Sequence, residues 1–218
     1  MALAAFIGFT EYLSGSTSFL RMVVPTRTVS VSLLAALPQS PQLSAVEQQS
    51  VLAAFQERIL TEGEVLVEAR TVCEELFFVQ EGVLRIAVRD TQGKERTHFF
   101  REAGQFCTLL TSFEQQLPAT QSLLAACPAR VLAITYAQLV ALSQQVPRLS
   151  ELLGQLIQQE LLGKLHLHRT FMGHDAARRY QLFLLHQPEV ARCVPQHLIA
   201  SYLGITPQSL SRLRKQID

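Results

Sequence analysis

Charge is scarce in this sequence. Only 17% of its 218 residues are charged, and 19 Lys and Arg against 18 Asp and Glu leave a net charge of +1. That balance excludes a uniformly basic coat for nucleic acid, although it permits a local basic patch. Low charge beside 48% hydrophobic residues also excludes a disordered chain and predicts a packed core. The four cysteines, Cys73, Cys107, Cys127 and Cys193, never stand at CxxC spacing. They therefore offer neither a zinc site nor a disulfide frame, and read as small hydrophobes in the reducing cytoplasm. No phosphate loop, nucleophile elbow or metal pair occurs. A jelly-roll metal enzyme needs two or three histidines and a glutamate inside one barrel. Here His98 stands alone in the β-rich region, and His166, His168 and His174 come much later. The chain reads as a non-enzyme without a metal site.

A long hydrophobic run is missing too. Met1 to Phe19 is apolar and rich in small residues, but Glu11 interrupts it and no basic stretch precedes it. It matches neither a signal peptide nor a membrane span, so no membrane partner is expected. Residues 1–32 are a lead-in without an assigned role, and this unexplained stretch raises the hypothesis that translation starts at Met22.

What is present falls into textures. Leu34, Leu37, Leu43, Val46, Val51, Leu52 and Phe55 recur at helical spacing, and Ser44 with Glu47 forms a capping-box pattern. From Arg58 to Ile134 short apolar runs alternate with turns: Val65 to Val67, Leu76 to Val79, Val83 to Val88, His98 to Phe100, Leu123 to Ala126, and Val131 to Ile134. Gly82, Gly93 and Gly104 recur every 11 residues. Such strand-and-turn units predict an antiparallel barrel or jelly roll, with a hairpin turn at Asp90 to Lys94. From Pro147 the pattern is helical again. Its leucine-rich stripe includes Leu149, Leu152, Leu153, Leu156, Ile157 and Leu161, and fits either the chain's own core or a second copy of the same helix. A bend at Phe171 to Gly173, a helix from Asp175 to His186, a break at Gln187-Pro188 and two more short helices complete the chain.

The last stretch, VPQHLIASYLGITPQSLSRLRKQI, is the most informative. Ile199, Leu203, Ile205, Leu210 and Leu213 are its buried positions. Gly204 permits a sharp turn, Thr206 is an N-cap, and Pro207 sits at the first position of a second helix. The exposed set is then Thr206, Gln208, Ser209, Ser211, Arg212 and Lys215. Arginine grips guanine and glutamine grips adenine through paired hydrogen bonds. Hydroxyls and Lys215 suit phosphate oxygens. The charge agrees: residues 174–218 are net +3 and the remainder is net −2. Against this stands the plainer reading of a helical hairpin with a solvated face.

The chain resembles the Crp/Fnr family of bacterial regulators from about Leu34 onward. The resemblance rests on EGEVLVEARTVCEELFFVQEGVLRIAVRDTQGKERTHFFREAGQF and on IASYLGITPQSLSRLRK, the second especially similar to Bacteroidetes members. It implies an α+β chain: an antiparallel β jelly roll of cyclic-nucleotide-binding type (33–146), a long dimerisation helix (147–170) and an all-α helix-turn-helix domain (171–218). It also implies a homodimer on a palindromic double-stranded DNA site, with RNA polymerase and a small-molecule effector as further partners.

The departures matter as much. In cAMP-binding members a phosphate cassette reads approximately F-x-G-E-L, followed later by R-S/T-A. The corresponding residues here are Phe106-Cys107-Thr108-Leu109-Leu110 and Leu117-Pro118-Ala119-Thr120. The glycine, the glutamate and the arginine are all replaced. A buried cyclic phosphate without a cationic partner is very costly, so cAMP is not expected to bind tightly. Any effector pocket should be formed by Phe106, Thr108, Leu109, Leu110, Pro118, Ala119 and Thr120, and should be more apolar than a nucleotide site. The cysteine spacing excludes the family's iron–sulfur cluster, and a lone His98 does not make a haem site. The family's two-stranded wing is not found between the last helix and Asp218, which implies a shallow salt dependence of DNA binding. A competing reading is a ligand-binding signalling module whose C-terminal helices contact a protein.

Overall fold

The computed structural model describes residues 33–37 and 43–217, so the lead-in with Met22 lies outside the described residues. Helix α1 (Ala45–Ala54) starts as the sequence predicts. The Ser44 hydroxyl accepts from the Glu47 backbone N–H at 3.3 Å, and the Glu47 carboxylate accepts from the Ser44 N–H at 2.8 Å.

Eight strands follow: β1 (Gln56–Leu60), β2 (Val65–Val67), β3 (Glu75–Glu81), β4 (Val83–Arg89), β5 (Glu95–Glu102), β6 (Phe106–Cys107), β7 (Ser122–Ala125) and β8 (Ala129–Thr135). They form two four-stranded antiparallel sheets, in the orders β1-β8-β3-β6 and β2-β7-β4-β5. Phe77, Phe78 and Val79 of β3, Leu84 and Ile86 of β4, Leu123 of β7, and Val131 and Ile134 of β8 fill the core. The Asp90–Lys94 turn is present: the Asp90 N–H donates to the Lys94 carbonyl at 3.0 Å, and Gly93 adopts a φ of +77°. Gly82 is more constrained. It has a φ of +80°, and a Cβ there would lie 2.3 Å from the Pro128 carbonyl oxygen.

Two helices in the barrel segment were not foreseen, α2 (Leu110–Gln115) and α3 (Tyr136–Gln145). Helix α4 (Pro147–Phe171) then runs for 25 residues against the barrel. Here the sequence reading needs correction. Leu149, Leu152 and Leu156 are buried in the chain's own core, because α4 lies over α3 and the barrel. Of the six residues expected to meet a second copy, Leu153 and Ile157 are half-buried and Leu161 is exposed. Leu162 and Leu165 are exposed beside Leu161. Among the described residues, no helix is long and apolar enough to cross a membrane.

The tail comprises α5 (Ala176–His186), α6 (Pro188–Cys193), α7 (Gln196–Leu203) and α8 (Pro207–Ile217). Asp175 caps α5 by accepting from the Arg178 N–H at 2.8 Å. The tail shares a second core with the barrel. Phe183, Val190, Ile199 and Leu210 pack with Val83, Phe100, Ala126 and Cys127. Tyr202 joins three elements, with its ring 5.1 Å from that of Phe100, 6.0 Å from Phe171 and 5.9 Å from Phe183.

Candidate functional site

Helices α7 and α8 are joined by a three-residue turn. Gly204, with a φ of +67°, directs its N–H at the Ala200 and Ser201 carbonyls, and the Ile205 N–H donates to Ala200 at 3.0 Å. The Thr206 hydroxyl accepts from the Ser209 N–H at 3.1 Å and caps α8, with Pro207 following at its first position. Leu210 is 1% exposed and fixes which way α8 faces, while Ile205 and Leu213 support it from the sides. Thr206, Gln208, Ser211, Arg212 and Lys215 are consequently exposed along one face. Ser209 is half-buried, and its hydroxyl lies 3.0 Å from that of Thr206, so these two groups are partly occupied with the cap. The arrangement presents a guanidinium, a carboxamide, an ammonium and a hydroxyl on a rigid helix, a donor-rich surface suited to phosphates and base edges. Lys215 and Arg214 also favour the negative end of the helix dipole.

The seven residues expected around a pocket do come together, in two adjoining cavities. One, of about 330 Å³, includes Thr108, Leu109, Leu110, Pro118, Ala119 and Thr120 in its lining. The other, of about 230 Å³, lies between the barrel and α4 and includes Phe106, Leu76, Leu153 and Leu156. Thr108, Leu110 and Lys164 line both. Phe106, Leu109 and Ala119 are themselves core residues. The Thr108 hydroxyl is engaged internally, donating to the Glu75 carbonyl at 2.9 Å.

Sequence reasoning missed the polar wall contributed by α4. Lys164 faces both cavities from the long helix and stands 5.6 Å over the Phe99 ring. Burial, and then the neighbouring Arg101 charge, lower its pKa from the usual lysine value. Arg101 is itself paired with Glu160 at 2.7 Å. Lys164 follows Ile157 by seven residues and Glu160 by four, and the helical period sets all three along the smaller cavity. In the larger cavity His98 contacts the Gln121 carboxamide at 3.1 Å. Neither arginine nor carboxylate lines that cavity. The adjoining cavity does hold such groups, Arg101 in its ion pair with Glu160 and also Glu114, so it is the cavity formed by the residues at the cassette positions that lacks both partners of a cyclic nucleotide. Among the described residues no group of three or more His, Cys, Asp or Glu could hold a metal ion.

Residues 57–146 match the family model described as a cyclic nucleotide-binding domain, a segment that covers the two packed antiparallel sheets ahead of the long helix. Solved structures share the architecture well beyond that segment. One is a protein from Eubacterium rectale assigned to the Crp/Fnr family of transcriptional regulators. It is 15% identical, with 84% of this chain and 87% of that one covered at a TM-score of 0.63. The c-di-GMP-responsive global regulator CLP of Xanthomonas campestris is 17% identical, covering 80% and 91% at 0.61. FixK2 of Bradyrhizobium japonicum is 17% identical, covering 75% and 84% at 0.62. These likenesses establish a common fold. No curated protein matches the sequence.

Proposed function

We propose that the chain is a homodimeric, sequence-specific DNA-binding transcription regulator of the Crp/Fnr type, and not an enzyme. One observation carries the reading. Helix α8 buries Leu210 and exposes Gln208, Ser211, Arg212 and Lys215 on a capped, rigid scaffold. Residues 171–218 act as the helix-turn-helix reader, 147–170 as the pairing helix and 33–146 as the sensing barrel. Gln208 and Arg212 read bases, while Lys215 and the hydroxyls hold phosphates.

Pairing uses Leu153, Ile157, Leu161 and Leu165, which recur every four residues on α4, with Leu162 beside them. The exposure of the last three supports this choice, since adjacent exposed leucines mark an interface. Two readers one turn of DNA apart recognise a palindromic site. RNA polymerase is the natural protein partner at such a site, and the cytoplasm the compartment. The barrel takes an effector other than cAMP, because the cavity formed by the residues at the cassette positions offers neither arginine nor carboxylate.

The test is selection of bound duplexes from a random pool, followed by affinity measurements at several salt concentrations. An enriched palindromic motif is expected, and no enrichment overturns the reading. One observation favours a second reading, a signalling module whose tail contacts protein: α7 already packs on β5 of its own barrel.

A further inference from the structure

Two of the four thiols meet across the seam between barrel and tail. Cys127 lies in the turn between β7 and β8, Cys193 ends α6, and their Sγ atoms are 3.4 Å apart although 66 residues separate them in sequence. A disulfide needs about 2.05 Å between sulfurs, so the pair stands little more than an ångström outside bonding distance. The barrel side is held firmly. The Ala126 N–H donates to the Val83 carbonyl at 2.8 Å, and Gly82 packs so closely on Pro128 that a Cβ there would meet its carbonyl at 2.3 Å. On the tail side, Val190 and Val194 anchor α6 in the shared core. Cys127 is buried and Cys193 half-buried, so a reagent enters at Cys193. The other two thiols, Cys73 and Cys107, are buried inside the barrel.

We propose that Cys127 and Cys193 are a disulfide-forming pair, closed by exchange with a low-molecular-weight disulfide, which covalently staples the tail to the barrel. The Cys193 thiolate attacks one sulfur of the small disulfide and expels the first small thiolate. The Cys127 thiolate then attacks Cys193 in that mixed disulfide and expels the second. Each expelled thiolate takes up a proton, matching the protons lost by the two cysteines. The two cysteines are oxidised together, and the small disulfide is reduced to two thiols. In a reducing compartment such a bond is transient and responds to sustained disulfide stress. Burial, and then the neighbouring Cys127 thiol, push the Cys193 thiol up to about 12. Thiolate is therefore scarce at neutral pH, and closure is slow there.

The test uses the full chain, reduced, freed of reductant and incubated with oxidised glutathione at several pH values from neutral to mildly alkaline. Samples are quenched by alkylation under denaturing conditions and read by intact mass and peptide mapping. The expected product has lost two hydrogens, joins the Cys127 and Cys193 peptides, and leaves Cys73 and Cys107 alkylated. Its rate should rise about tenfold per pH unit, following the thiolate fraction. Cys127→Ser and Cys127→Ala should trap the glutathione adduct on Cys193, and Cys193→Ser should form no cross-link. In the oxidised protein, amide hydrogen exchange of α6 and α7 should slow several-fold.

The proposal is overturned if all four thiols stay free, or if other cysteines or separate chains become joined. A stable wild-type adduct on Cys193, or exchange in α6 and α7 that ignores the bond, overturns it equally. None of these readouts involves DNA, so the pair stands or fails apart from the regulator reading.

Discussion

The backbone N–H of Thr97 donates to the Ser201 hydroxyl at 3.0 Å, tying strand β5 to helix α7 across 104 residues of sequence. β5 is the edge of its sheet, and an uncovered edge invites pairing with foreign strands. The tail covers it, and Thr97 is buried there. Ser201→Ala removes the acceptor and leaves that N–H unpaired, which should cost about 1–2 kcal/mol. Denaturant unfolding should show the loss, with hydrogen exchange at Thr97 and along α7 rising. Unchanged exchange there would mean that the hydroxyl holds nothing.

Glu102, also on β5, should make the same seam respond to pH. Burial raises its pKa above the usual glutamate value; a hydrogen bond from Gln187 opposes the shift and the nearby Glu189 carboxylate adds to it. The folded chain thus holds the Glu102 proton more tightly than the unfolded chain does. The resulting stabilisation is complete below the unfolded value of about 4.3 and is lost as pH rises through the raised folded value. Glu102→Gln keeps the neutral shape at all pH. Its Tm advantage over the wild type should be absent in acid and grow toward neutral pH. A constant difference across that range would count against burial as the cause.

Glycine substitutions should separate close packing from backbone strain. Gly82→Ala combines a left-handed conformation with a backbone clash against Pro128 and should cost about 3–5 kcal/mol. Gly93→Ala meets nothing within 4 Å and should cost only the conformational part, about 1–2 kcal/mol. Thermal unfolding of the two variants measures the difference, and equal losses would remove the packing argument.

On the regulator reading, the exposed face of α8 divides by role. Arg212→Ala should weaken binding to the selected site by about 1–3 kcal/mol and relax one base position. Lys215→Ala should weaken all duplexes alike and lower the salt slope by about 1. Titrations against the selected site and a scrambled duplex tell them apart; matching losses on both duplexes for Arg212→Ala would remove it from base reading.

Much of this architecture was legible in the residues. The Ser44–Glu47 box, the Asp90–Lys94 turn and the Gly204-Ile205-Thr206-Pro207 corner each encode a local geometry, and each formed. Helix α3 was legible too but was missed. Thr135 and Gln138 form a second capping box at its start, hidden behind the strand pattern that precedes it. Helix α2 had no such signal, since no side chain caps it.

The sequence by itself determined the local elements and the two-sided character of α8. Helical and strand periods, caps and turn glycines act within a few residues of one another. Only the tertiary structure decided which leucines of α4 face inward, that Lys164 lines both cavities, and that Cys127 meets Cys193. An apolar stripe specifies burial without naming what it is buried against, and a lysine or cysteine looks alike in sequence whether solvated or enclosed. Partners separated by 66 or 104 residues are chosen by the packing of one element on another, and no local period records that choice.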